Sequence, residues 1–488
     1  MVIESLKYKI LQQFGFAPTQ EQGQALDTFV SFLTDRDPQA VMILRGSAGT
    51  GKTSLSGAIV RTLLQIRQKM MLLAPTGRAA KVFSLGSGAP AYTIHRRIYR
   101  EKAFAGVDGQ FSLNDNLYTD TLFVVDEASM IANMGLGGTT FGSGCLLDDL
   151  VKFVYQGHND RLLLIGDKAQ LPPVGEEESP ALSASVMEGY GLKVYECDLN
   201  EVLRQSQSSG ILYNATLIRQ MITHDAVTGL PLIRFKGFAD IVMMPGAELV
   251  ESLGDSYHHV GMDETMVITR SNKRANIYNN GIRNMVLDRE EELSSGDMLM
   301  IVKNNYFWTE KEKKESGEGS AGAVPAFLAN GDRAKVLRVS NYIELYGFRF
   351  ATLLLQLPDY DDYEMQVTGM LDTLQSEAPA LTHEQQEELF RQVEEDYQHF
   401  VPLKADRMKS IRQDAYLNAL QIKYAYAVTC HKAQGGQWAH VYVDQGYMTD
   451  DMLTPDYIHW LYTAFTRATD KLFLVNWPKE QTCEPTDL

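Results

Sequence analysis

The sequence contains little cysteine and no long apolar run. Its four cysteines, among 488 residues, lie far apart and never form a CxxC pair, which argues against a zinc site and against a disulfide framework. No window approaches the roughly 18 apolar residues of a membrane span, and the amino terminus lacks the apolar core of a secretory signal. A cytoplasmic protein without membrane attachment is therefore expected.

A surplus of basic residues is also missing. Lysine and arginine number 45 against 62 acidic residues, which gives a net charge of −17. A protein that covers nucleic acid with a generally basic surface would show the opposite balance. Taken alone, the composition argues against a nucleic-acid partner. The hydrophobic fraction of 44% is that of an ordinary globular protein, and the length corresponds to roughly three structural units.

The first third of the chain alternates short apolar runs with helical stretches, a pattern typical of α/β proteins with a parallel sheet. The runs lie at 40–44, 70–74, 122–125 and 162–165, and similar ones follow at 266–269, 441–443 and 472–475. We therefore predict one α/β domain over residues 1–210, with a small insertion at about 97–119. A second α/β domain is predicted over 211–299 and 424–488.

Residues 300–423 do not continue the alternation of apolar runs and helical stretches, and they are predicted to be an insertion into the second domain. Short strand-like runs on either side of residue 310 indicate a small β unit. The charged, Gly/Ser-rich segment from Glu310 to Gly322 is predicted to be a flexible loop. The segment Thr382 to Asp396 is predicted to be a helix with Thr382 as its N-cap.

The strongest motif follows the first apolar run and precedes an amphipathic segment. Glycines let such a loop wrap phosphates with backbone N–H groups, and the next helix adds its positive N-terminus. Lys52 would reach the β and γ phosphates, and the Thr53 hydroxyl would ligate Mg²⁺. The motif predicts a site for ATP and Mg²⁺ formed by Gly46, Ser47, Ala48, Gly49, Thr50, Gly51, Lys52 and Thr53.

Two later apolar runs end in polar residues that suit hydrolysis. Asp126 and Glu127 follow the run 122–125, where the aspartate can hold the magnesium shell and the glutamate can orient and deprotonate water. The run 162–165 leads to Gln170, whose amide both donates and accepts and can therefore distinguish ATP from ADP. For this last segment, a plain polar loop is the alternative.

The order and spacing of these motifs resemble those of the superfamily 1B DNA helicases, the group of RecD-like, Dda-like and Pif1-related enzymes. The resemblance extends from Thr19 to about Val475. It implies an α/β fold of two RecA-like P-loop domains with parallel sheets, a small pin (1B) insertion and an SH3-like β (2B) insertion. It also implies a monomeric ATP-dependent helicase that translocates 5′ to 3′ on single-stranded DNA. The expected substrate is duplex DNA with a 5′ single-stranded tail, and the expected processes are DNA repair and recombination.

The resemblance assigns further roles in the nucleotide site. Gln22 matches the glutamine of the Q motif, which contacts adenine. Arg204 and Arg467 match the arginines of motifs IV and VI, which reach the γ-phosphate from across the cleft between the domains. The expected catalytic set is Lys52, Glu127, Gln170, Arg204 and Arg467. Motif V departs from the family pattern, because Gln437 stands where an acid is usual, and this weakens a nucleotide role for that position.

The resemblance further implies a path for the single strand through motifs Ia, Ib and V. The residues expected to contact DNA are Pro75, Thr76, Arg78, Thr93, His95, Phe104, Asn272, Thr429 and His431. In the pin, Phe104 or Phe111 is expected to stack at the fork, with packing in an ordinary hairpin as the alternative. Basic residues along this path predict a narrow, salt-sensitive groove on an acidic protein; they are Arg78, Lys81, Arg96, Arg97, Arg270, Lys273, Arg274 and Lys432.

Two other functions fit the same motifs. The first is a translocase that displaces proteins or remodels joints without separating duplex. The second is a binding module that uses ATP as a switch and hydrolyses it negligibly. The combination of Glu127 with Arg204 and Arg467 argues against the second, because a base and arginine fingers serve turnover.

Overall fold

Two parallel β-sheets, a closed barrel and a hairpin form the strand framework of the described residues. The computed structural model describes residues 2–105, 108–135, 142–202, 208–223, 229–316, 324–325, 327–401, 403–449 and 452–483. Its strands are β1 (Ala40–Gly46), β2 (Met70–Ala74), β3 (Ala91–Thr93), β4 (Tyr99–Ala105), β5 (Asp108–Leu113), β6 (Leu122–Val125), β7 (Arg161–Gly166), β8 (Lys193–Leu199), β9 (Ile241–Met244), β10 (Thr265–Thr269), β11 (Met298–Ile301), β12 (Arg333–Leu345), β13 (Phe348–Leu357), β14 (Tyr363–Met370), β15 (Leu420–Tyr424), β16 (Ala427–Thr429), β17 (Trp438–Asp444) and β18 (Ala468–Val475). Its helices are α1 (Val2–Phe14), α2 (Gln20–Thr34), α3 (Lys52–Gln65), α4 (Gly77–Ser87), α5 (Ile94–Ile98), α6 (Leu146–Gln156), α7 (Ala184–Gly189), α8 (Gly210–Thr223), α9 (Leu249–His259), α10 (Asn272–Gly281), α11 (Phe307–Ser316), α12 (His383–Phe400), α13 (Lys404–Arg412), α14 (Cys430–Ala433) and α15 (Pro455–Phe465). Within this part of the chain, no helix is long and apolar enough to cross a membrane.

The first sheet has six parallel strands in the order β3-β2-β6-β7-β1-β8. Strands β1, β6 and β7 are buried along their whole length, as expected of apolar runs covered on both faces. One face packs on α1, α2 and α3 through residues such as Phe29 and Ile59, and the other packs on α6 through residues such as Leu150. Because the carboxyl ends of parallel strands meet at one edge, the loops after β1, β2, β6 and β7 lie together.

The second sheet is also parallel, in the order β16-β10-β17-β18-β9. Its strands come from two separate parts of the chain, β9 and β10 before the barrel and β16 to β18 after it. Helix α15 is anchored in the same core by Ile458, Leu461 and Phe465, all fully buried. The two sheets confirm the prediction of two parallel α/β domains.

The inserted β unit is a closed barrel of β11 to β15. The helix predicted after Thr382 is confirmed as α12, whose capping box pairs Thr382 with Gln385. Strands β4 and β5 form an antiparallel hairpin inside the segment where the first domain was predicted to carry its small insertion.

One local prediction is wrong. The charged segment from Glu310 was predicted to be a flexible loop, but the structure has helix α11 up to Ser316. Glutamate and lysine are good helix formers, and Trp308 anchors the start of the helix because it is 5% exposed and its Nε1 donates to the carbonyl of Asn418 at 2.9 Å. Residues 317–322 of the predicted loop lie outside the described part of the chain.

Candidate functional site

The loop after β1 has the backbone geometry of a phosphate cradle. Gly49 and Gly51 both have φ of +78°, a left-handed conformation that glycine adopts without strain. Helix α3 begins at Lys52, so its N-terminus faces the loop and favours an anion there. The Lys52 ammonium donates to the carbonyl of Gly46 at 3.1 Å, and Thr53 is exposed in the first turn of the helix.

The acid pair Asp126 and Glu127 lies at the same sheet edge, directly after β6. Glu127 has a φ of +53°, and its N–H donates to the Asp126 carboxylate at 2.9 Å. Burial, with a smaller contribution from Glu127, raises the pKa of Asp126 to about 6, and burial also raises the pKa of the nearby Asp167. A divalent cation bound by Thr53, Asp126 and phosphate oxygens would balance this crowded negative charge.

Gln170 lies between the acid pair and the second domain. With its amide oriented to satisfy both neighbours, Nε2 donates to Glu127 Oε2 at 3.3 Å and Oε1 accepts from Arg467 Nη2 at 3.2 Å. Arg467 is 2% exposed, and it also donates to the carbonyls of Thr463 and Gly436 at 3.1 and 3.2 Å. The three residues predicted separately from the sequence therefore form one chain of contacts across the cleft.

The remaining predictions for the nucleotide site fall in different places. Gln22 is 1% exposed, and both ends of its amide are engaged: Oε1 accepts from the N–H of Thr19 at 3.0 Å, and Nε2 donates to the carbonyl of Thr50 at 2.9 Å. The structure thus places Gln22 beneath the phosphate loop as a support. Arg204 lies outside the described residues.

Sequence reasoning missed a set of contacts between α15 and the Gln170 loop. The Tyr462 hydroxyl contacts Ala48 and Asp167, the Thr463 hydroxyl accepts from the N–H of Leu171 at 2.8 Å, and the ring of His459 bonds to the carbonyl of Ala169 at 3.0 Å. Buried tyrosines and threonines on an apolar helix usually serve packing, so the pattern carried no signal for these contacts.

A cavity of about 320 Å³ lies where α4, the barrel and the segment after β16 meet. Residues on its wall that were predicted along the DNA path are Thr76, Arg78, His431 and Lys432, and the structure adds Arg333 and Trp438. Three of its nitrogens, the Nε of Arg78, the Nε of Arg333 and the Nε1 of Trp438, are buried without a hydrogen-bond partner among the described residues. The charged side chains of Arg78, Arg333 and Lys432 on this wall favour an anionic ligand.

The other predicted DNA contacts are spread along helix starts and the hairpin. Thr76 and Thr93 are N-caps, whose hydroxyls accept from the N–H groups of Ala79 and Arg96, and Pro75 precedes the first of these caps. Asn272 and Thr429 line a second, smaller cavity. Burial lowers the pKa of His95 to about 4, so this imidazole is neutral near pH 7.

The two aromatic candidates of the pin differ in what the structure shows. Phe104 lies on β4 opposite Gly109, and its side chain is outside the described part. Phe111 on β5 packs against Tyr306, with ring centroids 4.4 Å apart. The described contact of Phe111 is therefore with another aromatic residue of the chain.

Several cations of the predicted groove are paired within the molecule. Asp359, whose side chain is 1% exposed, accepts from Arg78 at 3.1 Å and lies 3.6 Å from the Lys81 ammonium. Arg274 pairs with Asp444 at 2.7 Å, and the guanidinium of Arg97 lies 3.7 Å from the centre of the Tyr92 ring. The groove is thus less basic than the sequence predicted, because acids distant in the sequence neutralise part of it.

Comparison with known proteins gives two family matches and several relatives. A model described as an AAA domain matches residues 17–229, and one described as a UvrD-like helicase C-terminal domain matches residues 424–475. The ATP-dependent RecD2 DNA helicase of Deinococcus radiodurans is 29% identical over 157 residues, which are 32% of this chain and 18% of that protein. The ATP-dependent DNA helicase dda of Enterobacteria phage T4 is 25% identical over 267 residues, 53% of this chain and 55% of that protein. The chain thus spans less than two thirds of the length of these two relatives.

A Pif1 helicase from Bacteroides in complex with ADP-AlF3 and ssDNA is similar in structure over 96% of this chain and 95% of its own, with a TM-score of 0.45 and 13% identity.

Proposed function

We propose that the chain, which belongs to the superfamily 1B helicases, hydrolyses ATP to translocate along single-stranded DNA and to unwind duplex DNA. The observation that carries the proposal is the contact chain from Glu127 through Gln170 to Arg467. It joins an acid at the edge of the first sheet to a buried arginine that follows α15 of the second domain. A hydrolysis centre built from two domains depends on their relative position, so hydrolysis is coupled to domain motion.

The P-loop supplies the site for the triphosphate. Its backbone N–H groups and the start of α3 bind phosphate oxygens, and Lys52 exchanges its contact with the Gly46 carbonyl for the β and γ phosphates. Thr53 and Asp126 are the residues that would hold Mg²⁺, which when bound neutralises phosphate charge.

Hydrolysis itself is assigned to residues on both sides of the cleft. Glu127 orients the attacking water and accepts its proton, and Gln170 links that carboxylate to Arg467. Arg467 stabilises the charge that develops on the γ-phosphate, as arginine fingers do. Arg204 is proposed as a second arginine on the strength of its motif.

The cavity between α4, the barrel and the segment after β16 is proposed as part of the path of the single strand. The cations Arg333 and Lys432 on its wall suit a phosphodiester. Closure of the cleft on ATP and its opening after hydrolysis would move the two domains along the strand. Translocation from 5′ to 3′, and a duplex with a 5′ tail as substrate, are proposed from the family resemblance.

Replacement of Glu127 tests this proposal directly. Glu127→Gln keeps the size of the side chain but removes the base, so we expect DNA-stimulated ATP turnover to fall by at least about 100-fold. Binding of a fluorescent ATP analogue and of oligo(dT) should persist. The measurements are steady-state ATPase with and without single-stranded DNA, and fluorescence titration of both ligands.

The matched control is Glu188→Gln, which changes an exposed acid on α7 and should leave turnover unchanged. Turnover retained in Glu127→Gln would refute the assigned base. Unwinding is measured on matched duplexes with a 5′ or a 3′ tail. Activity on the 3′-tailed duplex alone would refute the proposed direction, and ATPase without unwinding of either duplex would favour a translocase.

A further inference from the structure

Tyr462 belongs to α15 in the second domain, yet its hydroxyl bonds to two groups of the first domain. It accepts from the N–H of Ala48 at 2.9 Å and donates to Asp167 Oδ2 at 2.7 Å. The residue is 1% exposed. Burial, together with the neighbouring Asp167 carboxylate, raises the pKa of the phenol well above its usual value, so the hydroxyl keeps its proton.

The two partners of this hydroxyl belong to the two loops that serve the nucleotide. Ala48 is in the phosphate loop, four residues before Lys52. Asp167 begins the loop that carries Gln170, and its other oxygen accepts from the N–H of Ala169 at 3.0 Å. A single hydroxyl therefore fixes both loops against one helix of the other domain.

The same helix also sets the position of Arg467. That residue follows the end of α15, and its Nε donates to the carbonyl of Thr463 at 3.1 Å. Because the arginine is tied to the last turn of the helix, the placement of α15 against the first domain determines whether Nη2 reaches Gln170. The N–H of Leu171, the residue after Gln170, donates to the Thr463 hydroxyl at 2.8 Å. This bond also holds α15 against the first domain.

We propose that Tyr462 is a positioning residue that makes the arrival of Arg467 at the hydrolytic site depend on a hydrogen bond between the two domains. The inference rests on the proposed ATP hydrolysis and extends it. When the cleft opens, the Tyr462 hydroxyl leaves Ala48 and Asp167, and Arg467 withdraws from Gln170 with the same helix. Hydrolysis in the open state is thereby suppressed.

Tyr462→Phe removes the hydroxyl, keeps the ring, and leaves two buried polar groups of the first domain without their partner. We expect the kcat of DNA-stimulated ATP hydrolysis to fall by about tenfold. The KM for ATP should change by less than about twofold, because Lys52 and the N-terminus of α3, which bind the phosphates, make no hydrogen bond to Tyr462. In a double-mutant cycle with Asp167→Ala, which removes the acceptor, the two losses should be less than additive, since each variant removes one partner of the same bond.

Tyr457→Phe is the matched control, because Tyr457 lies on the same helix and its hydroxyl bonds to Gln445 inside the second domain. It should hydrolyse ATP at the wild-type rate. Unchanged kcat in Tyr462→Phe, an equal loss in Tyr457→Phe, or a loss of thermal stability with a raised KM would each overturn the positioning role. A wild-type chain without DNA-stimulated ATPase would instead contradict the proposed function and this inference with it.

Discussion

Glu127 is the residue at which the backbone of the candidate site carries strain. Its left-handed φ of +53° costs a residue other than glycine about 1 to 3 kcal/mol. The bond from its N–H to Asp126 and the contact of its carboxylate with Gln170 hold it in that conformation. Strained residues persist where the surrounding structure fixes them and concentrate at functional sites, which agrees with the role proposed for this carboxylate.

The pKa of Lys432 predicts how DNA binding depends on pH. Burial, with a smaller effect of Lys423, lowers the pKa of Lys432 to about 8. A lysine with a lowered pKa is charged below that value and neutral above it. Lys432 lines the cavity between α4, the barrel and the segment after β16, which is proposed to hold the single-stranded DNA. We therefore expect the affinity for oligo(dT) to fall as the pH rises from about 7 to about 9.

Lys432→Arg provides the comparison for this pH dependence. Arginine stays charged throughout that range, so the variant should lose less affinity with rising pH than the wild type in fluorescence anisotropy titrations at constant ionic strength. The same decline in the wild type and the variant would mean that another group titrates, and would contradict the assignment to Lys432.

At the scale of elements, the contact between α4 and the barrel is the feature that the sequence did not indicate. Gly77 opens α4, and a Cβ at this position would lie 2.3 Å from Asp332 Oδ1, so the absence of a side chain permits the close approach. The turn between β13 and β14 then places Asp359 against Arg78 and Lys81. An acid near a helix N-terminus is favoured by the helix dipole. Here Asp359 pairs with two cations, Arg78 and Lys81, that were predicted to lie along the path of the DNA.

Replacement of Asp359 tests whether this acid competes with DNA. Asp359→Asn removes the charge that neutralises Arg78 and Lys81, so we expect single-stranded DNA to bind about tenfold more tightly, which corresponds to one charge-assisted hydrogen bond of about 1.5 kcal/mol. The measurement is the Kd for oligo(dT) at fixed salt.

Asp362→Asn is the control for this experiment. Asp362 lies on the same turn, is exposed, and has a φ of +57°, a conformation that asparagine accepts. It should bind DNA as the wild type does. Equal binding by Asp359→Asn would show that the acid does not compete with DNA, and weaker binding would show that it holds the two cations in place for the strand.

At the scale of the whole molecule, the net charge of −17 is compatible with a short contact to nucleic acid. Among the residues that the structure describes, the lysines and arginines that line the cavity proposed for the single strand are Arg78, Arg333 and Lys432. Each neutralised phosphate of a single strand contributes a slope of about −0.7 in a plot of log affinity against log salt. Three contacts therefore predict a slope of about −2 in titrations between low and moderate salt. A slope of about −5 or steeper would require a broader basic surface and would contradict this groove.

Elements that depend on local pattern could be predicted from the sequence. Buried strands appear as apolar runs, the phosphate loop requires glycines at fixed spacing, and Thr382 predicts the start of α12 because capping is a contact within one turn. Local composition failed at α11, because the packing of Trp308 against Asn418 comes from a distant part of the chain.

Contacts between residues that are distant in the sequence could not be predicted and emerge only in the folded chain. The bridge of Gln170 between Glu127 and Arg467, the bonds of Tyr462 to Ala48 and Asp167, and the pairing of Arg78 with Asp359 all join positions more than 40 residues apart in the sequence, and most of them join different domains. The residue types of a motif determine which chemical groups are available. Which of these groups act together depends on the distances between them, and those distances are set only when the two sheets and the barrel pack together.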